Sequence, residues 1–560
     1  MCKSWRSKWF SVGLLVGPLP FVHALVGAQE TPVPSSQLSS PIESAQKSRS
    51  LPVSSEGELT FVVSKFNLVG PELLPRQNLF SLLNQFANRP ITFADLRLAT
   101  LALEKAHAIA GFEVVQVLIP EQDFTPEAGL TLQIVDATLN SISINGAKFF
   151  DESWIAQQLP SLKPNQPINT QEMDREVRFL SVNPSVQAKV TLEPSSEPRQ
   201  VDAVVQIQDI DPSSLFFTLD NTGSNSTGDF RSGLIYLNNN IFDQGHQLIG
   251  QVVTSPGHWP DVKIYSLNYK VPQVSKHRIL EVSYIDSSVN AGSLSLGNSS
   301  LSIQGSGSQL AFKNTYLLNQ IEGFDTRLLL SYELKRFNSR VVLEGNTNSL
   351  VPDIESRPIG LGFALKSLTY SHQFDFLVNY HQNIATGGNN SQAAYSAIKP
   401  GANVDFGLVK GNASLSGPID SQWRYTTAVG FQFTNDSLIS GEQFGAGGLY
   451  SVRGFDERAV SADSGYRLSV EMQSPNLISK PIGCFNAINS VVFVEGAAFR
   501  VTDAPQGDTS EPYIASYGTG LRFNLSPLQQ IRADFAKVIS GVDEQPHGDW
   551  MFHFSYTVAL

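Results

Sequence analysis

Cysteine is nearly absent: the 560 residues hold two, Cys2 and Cys484. Cys2 lies in a segment expected to be removed. That leaves a single thiol, no intramolecular disulfide and no cysteine at a cleavage site to carry a lipid. Basic residues are in the minority, 39 against 51 acidic for a net charge of −12, a balance that argues against nucleic acid as a partner. Beyond the first two dozen residues no uninterrupted apolar run reaches the roughly 18 residues of a membrane-spanning helix. Catalytic signatures are missing too: no Walker lysine loop, no His-Glu-x-x-His, no paired-cysteine metal spacing, no Gly-x-Ser-x-Gly elbow. The nine histidines are scattered, and His246, His258 and His277 sit beside expected turns without ligand partners. Enzymatic activity, a metal, a nucleotide and any other cofactor are therefore not expected. The missing helix does not exclude a membrane. A closed barrel also satisfies every backbone group in lipid, and it hides its apolar residues by alternation.

What is present begins with Lys3, Arg6 and Lys8, an apolar run over 9–22, and small residues at Ala24, Gly27 and Ala28. This is the order of a secretory signal peptide over residues 1–28. Its removal leaves 36 basic residues against 51 acidic, a net charge of about −15. Residues 29–58 are rich in Pro, Ser and Gln and read as a flexible linker. Positions 38–49, interrupted by Pro41, are its best candidate for a plug helix. Order is expected from Leu59. A strand near 61–69, helices over 75–86 and 93–110, and strands at 113–119 and 129–135 give β-α-α-β-β within 59–137. Leu96, Leu101, Leu103 and Ala106 supply much of an apolar helix face. The same order returns within 138–210, with elements at 139–144, 152–159, 170–180, 186–192 and 201–207. Thr170 reads as a helix start whose capping box is imperfect, because Met173 stands where Glu would be best.

From 211 to 560 the helical period vanishes. Alternating segments of about 9–11 residues follow one another, joined by Gly, Asn, Ser and Asp. Leu468, Val470 and Met472 oppose Arg467, Ser469, Glu471 and Gln473; Phe552, Phe554, Tyr556 and Val558 oppose His553, Ser555 and Thr557. A soluble sandwich would put the polar face in bulk water, whereas a membrane barrel puts the apolar face in lipid and the charges in a wet lumen. The signal peptide, the aromatic apolar faces and the even spread favour the barrel. About sixteen strands are expected, near 214–221, 229–239, 246–254, 262–272, 277–287, 309–318, 324–335, 360–371, 375–381, 402–409, 423–433, 465–474, 489–498, 515–524, 529–537 and 550–558.

One stretch does not alternate: Gly445-Ala-Gly-Gly-Leu-Tyr-Ser-Val-Arg-Gly-Phe-Asp-Glu-Arg458, within a loop over 440–464. Its glycines relax the backbone, and Arg453 is held between Val452 and Gly454 with Phe455 following. The bland reading is a mobile surface loop. In order and spacing, however, it resembles the Val-Arg-Gly-Phe/Tyr signature of the superfamily of BamA and the two-partner secretion transporters (TpsB). Other stretches resemble the same family. They are 216–250 at the opening of the barrel, Gly465 to Pro475, Ser516 to Arg522, and Ile531-Arg-Ala-Asp534. The two α/β modules resemble POTRA domains, with a Pro-x-Gln element in 119–123 and a turn at Asn183-Pro184. Leu560 departs from the aromatic ending common in such barrels.

The resemblance implies an all-β transmembrane barrel of about 16 antiparallel strands, preceded by two α/β POTRA domains. It implies that Arg453, on the sixth outward loop, folds into the lumen and pairs with an acid of a Phe-x-Asp-x-Gly motif. Here that motif reads Phe493-Val-Glu495-Gly-Ala497, with Glu for Asp and Ala for Gly. Glu495 and Phe493 share a face that is lumenal if Val492 and Val494 meet lipid. Arg467, Glu471, Arg522, Arg532 and Asp534 are the other expected lumen-facing charges. The implied function is export across the outer membrane of a Gram-negative-type bacterium, with the POTRA domains in the periplasm. The implied partner is a large secreted β-helical TpsA-like protein, a hemolysin or adhesin. Outer-membrane lipid and lipopolysaccharide are the implied surroundings of the barrel, and neither nucleic acid nor nucleotide is expected to take part. The alternative is a BamA-like factor that inserts other barrels; a passive porin or adhesin would have no use for the periplasmic modules.

Overall fold

The computed structural model describes residues 59–560 apart from positions 124, 126–128, 225–226, 290–291, 297–298, 304–305, 322, 339–351, 368–370, 421, 505–509, 527 and 543–544. The expected signal peptide, linker and candidate plug helix lie outside the described residues.

The N-terminal unit consists of two α/β modules. In the first, Phe66–Val69 pairs in parallel with Leu130–Val135, which pairs antiparallel with Gln116–Leu118. Helices Arg76–Leu83 and Phe93–Ile109 cover one face of this sheet. The longer helix starts on a capping box, in which Asp95 N–H donates to Thr92 Oγ1 and Thr92 N–H donates to the Asp95 carboxylate. The Pro-x-Gln element has a mechanical use. The Gln122 amide donates to Thr131 O (2.9 Å) and accepts from Thr131 N (2.8 Å), which ties the preceding loop to the central strand. In the second module Thr138–Asn145 runs parallel to Gln200–Asp209, with Val186–Pro194 antiparallel on its other side. Its second helix is Thr170–Leu180, but the cap is Asn169, whose Oδ1 accepts from Glu172 N at 3.1 Å. This corrects the expectation at Thr170. Counting from Asn169, Glu172 occupies the third helical position and Met173 is a buried core residue.

The modules meet end to end. The carbonyls of Ile109, of the cap Ala110 and of the following Gly111, at the end of the helix Phe93–Ile109, receive four donors from the start of the helix Thr170–Leu180. Asn169 Nδ2 donates to Ala110 O (3.0 Å), Gln171 Nε2 to Ile109 O (2.9 Å), and Thr170 N and Oγ1 both reach Gly111 O (2.8 and 3.0 Å). One helix's unpaired carbonyls are thus satisfied by the next helix's first residues, which aligns the two dipoles head to tail. Gly111 has φ +93°, and a Cβ there would overlap the Asn169 amide.

From Ser213 onward sixteen antiparallel strands close into a barrel. They are β1 (Ser213–Asp220), β2 (Arg231–Ile241), β3 (His246–Thr254), β4 (Ile264–Gln273), β5 (Arg278–Ser287), β6 (Gly307–Leu317) and β7 (Phe324–Phe337). Next come β8 (Ile354–Ser356 and Pro358–Ser367, interrupted at Arg357), β9 (Gln373–Asn383), β10 (Gly407–Pro418), β11 (Arg424–Phe433) and β12 (Ser464–Gln473). The last four are β13 (Ala487–Arg500), β14 (Tyr513–Ser526), β15 (Gln529–Ser540) and β16 (Trp550–Ala559). Strand β16 returns to β1, Ser555 opposite Asp220 and Ala559 opposite Phe216. Both halves of β8 pair with β7 and count as one strand.

Large apolar side chains point outward and stay uncovered, among them Leu267, Leu330, Leu468, Val470 and Phe552. Asn268, Glu281, Glu333 and Lys335 turn inward and are buried. Such a pattern requires a hydrocarbon solvent outside. Tyr265, Tyr284, Tyr466, Tyr513 and Trp550 stand uncovered near the rim opposite the entry of β1, as an aromatic girdle does. The expected tenth strand at 402–409 is misplaced, because β10 runs from Gly407 to Pro418. Ala402, Val404, Phe406 and Leu408 instead pack with Ile354, Tyr395, Leu438 and Ile439 in a separate buried cluster. That cluster's alternation is real, but protein rather than lipid covers it.

Candidate functional site: the loop between β11 and β12

Connections alternate between the two rims, and 434–463 forms the sixth one on the rim opposite the entry of β1. This segment is not a mobile surface loop. Phe444–Ala446 pairs with Val460–Ala462 as a stem. Below it, Val452 and Phe455 are fully buried with Ala446 and Ala462 against Ala497 and Phe499 of β13, Ile514 of β14 and Val538 of β15. Burial of an apolar side chain of this size contributes about 1.5–3 kcal/mol. The loop is therefore packed into the lumen as a small core of its own.

Gly454 makes the close approach possible. Its φ is +96°, and an added Cβ would lie 3.3–3.4 Å from Ala536 and Ser516 Cβ on the wall. Its N–H donates to His553 Nε2 at 2.9 Å. With the backbone pressed against β14 and β15, the preceding side chain points into the lumen charge cluster. Arg453 is only 2% exposed. Its Nε and Nη2 donate to Glu495 at 3.0 and 2.6 Å, a bidentate fork. Nη1 donates to Glu471 Oε2 (2.8 Å) and Asp534 Oδ2 (3.3 Å). The backbone N–H adds a bond to Glu495 Oε2 at 2.8 Å. The guanidinium lies over the Phe493 ring, 3.4 Å from its centroid.

Alternation on β13 sets this geometry. Val492 and Val494 are 51% and 58% exposed, whereas Phe493 and Glu495 are 3% and 5%, so the acid faces the lumen. Arg522 donates to Asp534 Oδ1 (2.6 Å) and Glu471 Oε2 (3.3 Å), and Arg532 also binds Asp534. Three guanidinium groups thus face three carboxylates, and the cluster is neutral when all are charged. Glu471 is seven residues below the start of β12. At about 3.3 Å per residue and a tilt near 40°, that places the cluster roughly 17 Å below the rim, within an apolar band about 25 Å tall.

Of the eleven expected site residues, ten converge here. Val452, Gly454 and Phe455 seat the loop, Arg453 engages Glu495 and Phe493, and Glu471, Arg522, Arg532 and Asp534 complete the cluster. Arg467 faces the same lumen without an ion pair to the cluster, and its side chain from Cγ to Nε packs over Gly430. Three contributors were not expected. Ser469 Oγ donates to Glu495 Oε1 (2.8 Å), His553 receives the Gly454 N–H, and Tyr450 lies beneath Arg532, 5.7 Å from ring centroid to guanidinium carbon. Alternation alone placed Ser469 and His553 on the lumen faces of β12 and β16, and nothing else in the sequence marks them.

Residues 200–523 match the family described as haemolysin secretion/activation protein ShlB/FhaC/HecB, and residues 61–136 match the ShlB-type POTRA domain. The chain belongs to the ShlB/FhaC/HecB family. Its members are transporters with an outer-membrane barrel and periplasmic POTRA domains, so the transporter described here resides in the outer membrane, with its N-terminal unit in the periplasm. Among relatives, the outer membrane transporter CdiB-2 of Burkholderia pseudomallei strain 1026b is 23% identical over 70% of this chain and 66% of that one. The Heme/hemopexin transporter protein HuxB of Haemophilus influenzae strain 86-028NP is 21% identical over 87% of this chain and 86% of that one. In fold the transporter is similar to CdiB from Escherichia coli, with TM-score 0.68 at 15% identity over 92% of this chain and 93% of that one. It is also similar to CdiB from Acinetobacter baumannii, with TM-score 0.67 at 16% identity over 90% of this chain and 91% of that one.

Proposed function

We propose that this transporter carries one large unfolded exoprotein, a β-helical hemolysin or adhesin of the TpsA type, from the periplasm to the cell surface. The observation that carries the reading is the Arg453 tip, held at mid-lumen by three carboxylates on three different strands. A loop fastened there occupies the path a polypeptide would take, and its ionic attachments are of a kind that water can replace when it withdraws. Residues 1–28 would direct export to the periplasm. Sheet-edge strands such as Gln116–Leu118 and Val186–Pro194 offer main-chain donors and acceptors to an extended cargo, an attachment that tolerates varied sequence. The cargo would then pass the charged lumen and fold outside. No nucleotide is needed if outward folding supplies the direction, and lipid and lipopolysaccharide would bathe only the outer face.

The test is reconstitution of the full chain in lipid vesicles, presented with the unfolded product of the neighbouring gene. Passage of that product into the protected compartment supports the reading. Insertion of other unfolded barrel proteins instead would establish the BamA-like alternative, and leakage of small solutes alone would make the chain a porin.

A further inference from the structure

Loop six touches the barrel wall at a second buried charge, far from the Arg453 cluster. Just after β11 the chain makes a short turn, Ser440–Glu442, and Glu442 is buried. Its carboxylate receives Lys335 Nζ on both oxygens, at 2.9 and 3.0 Å, and Ser356 Oγ at 2.6 Å. Lys335 on β7 and Ser356 on β8 are cross-strand partners, so the two donors stand side by side on one patch of lumen wall. Two further contacts fix the turn. Gln432 Nε2 donates to Glu442 O at 2.8 Å, and Gly441 lies so close to Phe337 that a Cβ would overlap the ring.

We propose that Glu442 and Lys335 form a rim latch that holds loop six across the lumen, and that this latch must open for the loop to withdraw. The proposal rests on the reading of loop six as the element that closes the pore. Lys335 lies two residues from the end of β7, near the rim, while the Arg453 cluster lies deeper on β12, β13 and β15. Around the ring of sixteen strands β7 and β13 are six places apart, where eight would be opposite. The loop is therefore fastened to two distant parts of the wall and spans the space between them.

The chemistry of the latch suits release. Lys335 also pairs with Glu333 on its own strand, at 3.0 Å. When Glu442 leaves, the lysine keeps a resident counter-ion, and the departing carboxylate moves toward water at the rim. Lys335 is thus not left without a partner, although Glu333 then serves Lys410 of β10 as well, and the repulsion between the two lysines favours the return of Glu442. At the tip, by contrast, departure of Arg453 takes the bidentate partner of Glu495 away. The rim latch is thus the lighter of the two attachments.

The full-length protein in planar lipid bilayers provides the test, read as the frequency of large-conductance openings. Glu442→Gln and Lys335→Met should each raise it by at least about tenfold, the effect of losing one charge-assisted hydrogen bond, because each disrupts the two-point contact of Lys335 with Glu442. The exchanged pair Lys335→Glu with Glu442→Lys should return it toward the starting value, which a merely structural role would not produce. Heat-modifiable mobility on gels checks that each variant is folded. Independently of charge, Ser356→Cys with Glu442→Cys in a Cys484→Ser background, joined by a short bismaleimide, should suppress openings. Arg453→Ala separates the two readings. If it leaves the openings unchanged, loop six does not close the pore. If it raises them while the rim variants and the crosslink have no effect, the rim latch is overturned and the parent reading stands.

Discussion

Arg453→Ala removes the four side-chain hydrogen bonds that join the loop to Glu495, Glu471 and Asp534 and leaves only the backbone bond to Glu495. Arg522 and Arg532 still serve Glu471 and Asp534, so the loss falls on Glu495, which keeps Ser469. Breaking a buried ion pair by removing one partner costs about 3–5 kcal/mol. Water can enter the lumen once the guanidinium is gone, so the lower figure applies. At about 1.4 kcal/mol per factor of ten, 3 kcal/mol lowers the docked population of the loop about 150-fold relative to the undocked one. The barrel itself should assemble, because none of its strand pairings involves Arg453. Cells carrying the variant should show normal amounts of heat-modifiable protein in the outer membrane, loop-six cleavage by external trypsin, more frequent bilayer openings and impaired export. Arg453→Lys keeps the charge but loses the fork, and should fall between the two. Protease protection, conductance and export indistinguishable from the parent protein would refute the account of the tip.

Three further outcomes follow from named contacts. Gly454→Ala must hold φ near +96° and press a methyl against Ala536 and Ser516; the strain of about 1–3 kcal/mol should raise bilayer openings, and unchanged openings would mean that the seating is looser than described. Val494→Lys puts a charge on the lipid face near the middle of β13 and should cost about 2–4 kcal/mol in barrel stability, measured by urea unfolding from vesicles. A neutral result would place that face in water. Asn169→Ala removes a helix cap and a bond to Ala110, a loss of about 0.5–2 kcal/mol. Amide exchange should then quicken at 170–173, and unaltered protection there would deny the joint its role.

The sequence disclosed the barrel because lipid outside and water inside impose a period of two, with Gly, Asn and Asp marking the ends. Fifteen of the sixteen strands were legible in this way within a few residues. The tenth was not, and the reason is physical. The outward positions of β10 are Val409, Gly411, Ala413, Leu415 and Gly417, too small for a visible alternation, while the stronger pattern at 402–408 serves the cluster around Tyr395. The pair Arg453 and Glu495 could be anticipated from the motif and from Val492 and Val494 flanking Phe493. The meeting of Lys335 and Glu442 could not, because 107 residues separate them and neither sits in a distinctive pattern. The cap falls on Asn169, one residue before the expected Thr170, because adjacent Asn and Thr are both capping types and Asn is the better one.

The end-to-end joint between the periplasmic modules ties spacing in the chain to the pitch of an α-helix. Adding or deleting one residue in the helix Phe93–Ile109 would turn its last carbonyls by about 100° away from Asn169, Thr170 and Gln171. Length changes in homologous genes should therefore be rare from 93 to 111. They should gather instead in places such as the turn at 195–199, where a longer hairpin disturbs no partner helix.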